Sequence, residues 1–166
     1  MRKEVEGILK SLKEEIALHR ELVTLLEGDR SLMMELATKE LEESNGRKAF
    51  LASSIRQAEA ERMKLVEKLA ETQGLDAGGL KLRDIMAHSP EALAGELEAA
   101  RQSLLELTSR AAELKERNLK LIRRSLELFE GAMSAIRRGL EEPGRYGRQG
   151  LCEGAELNGR FLSRAI

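Results

Sequence analysis

Two histidines, one cysteine and 29 acidic residues are the groups from which chemistry could start in this 166-residue chain. His19, His88 and Cys152 are far apart, and no C-x-x-C, H-x-x-x-H or H-E-x-x-H spacing joins them, so no metal-ligand set is formed. His19 falls in step with the apolar residues around it and reads as the edge of a packing seam. Carboxylates are plentiful, but none stands in an apolar run that would raise its pKa for general acid or base work. No strand leads into a phosphate-cradling glycine loop, and one cysteine forms no internal disulfide. The residues therefore predict neither an enzyme nor a cofactor or metal site.

A basic run, Lys115, Arg117, Lys120, Arg123 and Arg124, is the strongest electrostatic argument for nucleic acid. Glu106, Glu113, Glu116, Glu127 and Glu130 lie beside it, and no aromatic residues interleave for base stacking. With a net charge of −1 and a pI near 6.2, no global field draws the chain to polyanions. A solvated helix face is the reading adopted, with no nucleic acid among the partners. An RNA-gripping helical arm stays as a minor alternative, which requires salt-sensitive affinity.

The elements that must position these groups are helices. Leu, Ala, Glu, Lys and Arg dominate, 34% of residues are charged and 2% aromatic, and both prolines lie late in the chain. Residues 90–140 carry the longest pattern, in 4,3 alternation: Leu93, Leu97, Ala100, Leu104, Leu107, Ala111, Leu114, Asn118, Leu121, Ser125, Leu128, Ala132 and Ala135. From Ile122 a second stripe runs alongside: Ile122, Leu126, Phe129, Met133, Ile136 and Leu140. An apolar face this wide needs more than one partner helix. Asn118, inside the seam, suits a buried amide that fixes register.

Two further helices are predicted at about 3–36 and 39–73. The first has a seam through Val5, Leu9, Leu12, Ile16, His19, Val23, Leu26, Arg30 and Met33; the second runs through Leu41, Ser44, Lys48, Leu51, Ile55, Ala58, Arg62, Leu65 and Leu69. Ser44, Asn45 and Gly46 offer a rival turn, but a turn near 37 gives arms of equal length that pair fully as an αα-hairpin. In that hairpin Glu27 is expected near Lys48, with Lys48 and Arg62 as structural polar positions. A crossover at 74–89 leads to Ser89, expected to cap the third helix ahead of Pro90.

After Leu140 the chain gains Pro143 and five glycines, yet retains Tyr146, Leu151, Phe161 and Leu162. The expected architecture is an all-α, elongated antiparallel three-helix coiled-coil bundle over 1–142 with a flexible, partner-binding C-terminal tail over 143–166. The N-terminus lacks a signal-peptide core and no apolar run approaches a membrane span, so a soluble cytoplasmic protein without membrane insertion is expected.

Several segments resemble the FlgN-type flagellar export chaperones: LVTLLEGDRSL at 22–32, Lys48 before an apolar run, Glu61-Arg62, LKERNLKLIRRSLEL at 114–128, and YGRQG at 146–150. Asn118 matches the second of two asparagines typical of the last helix in that family. Lys115 stands at the first, and Gln149 where Asp or Asn is usual. The resemblance implies a cytoplasmic chaperone that holds hook-associated proteins of the hook–filament junction, prevents their premature association and helps deliver them to an export-gate component. It implicates the C-terminal segment in both contacts. Cargo and gate binding are thus expected of Ile122, Leu126, Phe129, Met133, Ile136, Leu140, Tyr146, Leu151, Phe161 and Leu162, in a monomer or weak homodimer. The alternative from another class is a structural coiled-coil protein that self-associates through the same stripe.

Overall fold

The structure, a computed structural model, describes residues 2–74 and 81–141. It is all-α, with α1 (Arg2–Met34), α2 (Thr38–Gln73), a short α3 (Leu82–Ala87) and α4 (Glu91–Glu141), and no strand among the described residues. The chain divides into two compact units, Met1–Lys120 and Leu121–Ile166. The tail expected over 143–166 lies outside the described residues.

In the first unit α1 turns into α2 at residues 35–37. The Ala37 N–H donates to the Leu32 carbonyl (2.9 Å) and the Leu36 N–H to Met33 (3.4 Å), the paired bonds of a Schellman ending. Leu36 occupies the left-handed position with φ 55°, where a side chain costs about 1–2 kcal/mol relative to the right-handed region. Asn45 and Gly46 pass through α2 without a break, because the helix is held there by packing rather than by local propensity. Gly74 ends α2 at φ 65°, a conformation that favours glycine.

The apolar core gathers at the N-terminal half of α1. Val5, Ile8, Leu9, Leu12 and Ile16 meet Leu69 of α2, Ile85 of α3, and Leu97 and Ala100 of α4, all buried. The backbones of α1 and α2 approach closely. Small residues on their seam, Ser11, Ser44, Ala58 and Ala70, are buried there, and a Cβ on Gly7 would already stand 3.6 Å from Leu65. Direction follows from cross-links. Lys13 with Glu96 (2.8 Å) and Arg110 with Glu27 (3.0 Å) both join residues 83 apart, so α4 runs parallel to α1 and antiparallel to α2.

Two ion pairs set the α1–α2 register. Arg62 Nε donates to Glu15 Oε1 (2.7 Å), and Lys48 pairs with Asp29, whose other oxygen accepts from Ser44 Oγ (2.7 Å). The acids are the deeply buried partners: 1% and 3% of their side-chain surface is exposed, against 28% for Arg62 and 16% for Lys48. Both pairs join residues whose numbers add to 77.

Three expectations need correction. Lys48 meets Asp29 rather than Glu27, because the register differs by two residues from the sequence estimate; two residues turn a helix by about 200°, which swaps one face for the other. Glu27 pairs with Arg110 of α4, and Arg30, placed in the α1 seam, is exposed because Asp29, one residue earlier, takes the buried position. Ser89 does not cap α4: its hydroxyl donates back to the Ile85 carbonyl (2.7 Å), and the Pro90 carbonyl receives the first α4 N–H groups, those of Leu93 and Ala94.

Arg62→Met strands the Glu15 carboxylate in the seam. Urea unfolding should show a loss of about 2–3 kcal/mol, less than for a fully buried pair because Arg62 is partly exposed. Adding Glu15→Leu should restore most of it, and an unchanged stability in the single variant would contradict the pair's role.

Candidate functional site

Of the residues singled out for binding, Ile122, Leu126, Phe129, Met133, Ile136 and Leu140 fall on α4, in the second unit. Ile122, Leu126, Phe129, Met133 and Ile136 recur at intervals of four and three, which a helix of 3.6 residues per turn gathers into one stripe. These five are 43–63% exposed. The neighbouring seam positions Ser125, Leu128, Ala132 and Ala135 are exposed as well, Leu128 at 69%. In the first unit the same α4 pattern is covered, and Leu97, Ala100, Leu114 and Asn118 are buried. The side chain of Leu140, and Tyr146, Leu151, Phe161 and Leu162, lie outside the described residues.

What this surface can do follows from its chemistry. The five stripe residues are apolar, two of them thioether or aromatic, and Arg123, Arg124, Glu127, Glu130, Arg137 and Arg138 surround them. An exposed apolar strip rimmed by charge marks an interaction surface, and its helical spacing suits a partner that also presents a helix.

The structural polar residues occupy other positions. Asn118 is buried and its Nδ2 donates to the Leu26 carbonyl of α1 (2.8 Å), while its Oδ1 has no hydrogen-bond partner among the described residues. Lys48 and Arg62 lie in the α1–α2 seam. His19 is buried; because the Glu15 carbonyl can only accept, His19 Nδ1 carries the proton in their 2.9 Å bond. His88 Nδ1 likewise donates to the Asp84 carbonyl (2.8 Å). The structure thus keeps the two histidines and the apolar stripe on different elements.

Sequence reasoning missed Glu15 and Asp29, the buried halves of both ion pairs. A signal for them existed. Two cations in the α2 seam, Lys48 and Arg62, demand acids on the facing helix, since a buried unpaired charge is expensive. Elsewhere the exposed Arg101 guanidinium donates to both oxygens of Glu98 (2.8 and 2.7 Å) and holds that carboxyl below its ordinary range.

One open groove of about 320 Å³ lies between α1 and α4 over Ile16, Ala99 and Ala100. Lys13, Arg20, Glu96 and Ser103 rim it, and the Lys13–Glu96 ion pair bridges it. Among the described residues no group of three or more His, Cys, Asp or Glu is placed to hold a metal ion, and no helix is long and apolar enough to cross a membrane. In the basic run every side chain is exposed, and Lys120 pairs with Glu116 (3.7 Å).

A family model described as FlgN protein matches residues 1–154. No curated protein and no solved structure matches the chain.

Exposure separates the enclosed residues of α4 from the open ones. Phe129→Ser should shift the melting temperature by less than about 2 °C, whereas Leu97→Ala, which empties a fully buried site, should cost about 3 kcal/mol. Equal destabilisation by the two in thermal melts would show that Phe129 is a core residue.

Proposed function

Because the chain belongs to the FlgN family, a family of flagellar export chaperones, we propose that it holds hook-associated proteins of the hook–filament junction in the cytoplasm and passes them to the export gate. The observation that carries this reading is the exposed stripe of Ile122, Leu126, Phe129, Met133 and Ile136 on a helix whose earlier seam is buried. Segments of cargo that polymerise through amphipathic helices need an apolar helical surface to cover them before export. Occupying such a segment prevents premature association without any nucleotide, and release at the gate restores it.

In this reading the tail contributes too. Tyr146, Leu151, Phe161 and Leu162 are spread among glycines, a composition suited to ordering on a partner. The core of the hairpin supplies rigidity, and Lys48, Arg62 and Asn118 fix register without touching cargo.

Isothermal calorimetry with a hook-associated protein tests the proposal. Leu126→Asp combined with Phe129→Asp, and separately truncation after Glu142, should each weaken binding at least tenfold while leaving the melting temperature nearly unchanged. Full cargo affinity in the double variant would overturn the assignment of the stripe, and full affinity in the truncated chain would remove the tail from it.

A further inference from the structure

Charge along one edge of the α4 stripe has a seven-residue period. Arg123, Glu130 and Arg137 each follow a stripe residue, Ile122, Phe129 and Ile136, so helical geometry sets all three on one flank. They are exposed, and none has an ion-pair partner among the described residues. The other flank carries Ser125, Ala132 and Gly139 at the same period, with no charge and little bulk. One flank therefore admits close approach of a partner backbone, and the other discriminates by charge.

We propose that the occupant of this stripe is an amphipathic helix bearing acid, base and acid at seven-residue spacing, opposite Arg123, Glu130 and Arg137. The inference rests on the stripe being the cargo face and adds what the cargo segment must look like. Positive, negative, positive reads the same from either end, so these charges specify register and not direction. A partner slipped by one heptad sets its acid against Glu130 and its base against an arginine, and is repelled.

A second copy of this chain is the competing occupant, and charge argues against it. Two antiparallel stripes overlap fully when Glu130 faces Glu130, which also sets Arg123 against Arg137. Sliding one copy by a heptad removes the clash only by giving up part of the described stripe, 122–136. A parallel pair sets the charged flank against Ser125, Ala132 and Gly139 of the other copy and gains no ion pair.

Two synthetic helical peptides of about three heptads test this, each with leucine at the stripe-facing positions. One carries Glu, Lys, Glu at seven-residue spacing on both flanks, the other Lys, Glu, Lys. Fluorescence anisotropy with the full chain at low ionic strength should show the Glu-Lys-Glu peptide binding at least tenfold more tightly. The gap should close at high salt, and the Arg123→Glu, Glu130→Lys, Arg137→Glu triple variant should reverse the preference. Equal affinities overturn the proposal, as does binding by neither peptide. Failure of the chaperone reading shows separately: capture of a hook-associated protein then survives Leu126→Asp with Phe129→Asp, whatever the peptides do.

Discussion

Two acids buried between α1 and α2 constrain everything else in the first unit. Glu15 and Asp29 lose almost all contact with water, and each must keep its cation or bear the desolvation of an unpaired carboxylate, several kcal/mol. A coiled-coil seam made of apolar residues alone slides by heptads at little cost. Here a slide of seven residues brings Glu15 opposite Ile55 or Leu69 in place of Arg62, and Asp29 opposite Leu41 or Ile55 in place of Lys48. Neither register is tolerable. The pairs add little net stability over apolar replacements, and their effect is to leave one register standing. With the hairpin fixed, α4 enters parallel to α1, and the Asn118 amide on the Leu26 carbonyl ties it into the unit.

Much of this was readable from residue types. The apolar period located all three long helices, because narrow seams in a charged background leave few alternatives. Equal arm length, rather than the stronger turn residues Ser44, Asn45 and Gly46, located the turn. The register resisted reading by two residues, since the turn adds an angle that only its dihedrals define: a left-handed Leu36 is not announced by a leucine. That small shift moved the partner of Lys48 from Glu27 to Asp29. Ser89 was misassigned for a different reason. Its hydroxyl had two helix ends within reach, and composition does not say which one wins.

For the candidate site the sequence located the stripe, and the structure added its exposure. Periodicity alone cannot separate a packing face from a binding face, because both place apolar residues at four and three. What separates them is whether something covers them: Leu97 and Leu114 are enclosed, whereas Leu126 and Phe129 are open to solvent. A chain that exposes such a strip accepts an aggregation hazard, and the surrounding arginines and glutamates limit it. The family's chaperone role gives the strip a reason to exist. The proposed cargo function suits such a strip, since holding a helix needs area and register, not chemistry.

In the proposed function, α4 between 121 and 139 is the surface that cargo covers. Hydrogen–deuterium exchange of the full chain, free and bound to a hook-associated protein, reads this directly. Slow exchange is expected in the α1–α2 seam and in α4 near Leu97 and Leu114 in both states, with new protection on binding concentrated at 121–139. New protection confined to the hairpin, or none on α4, would contradict it.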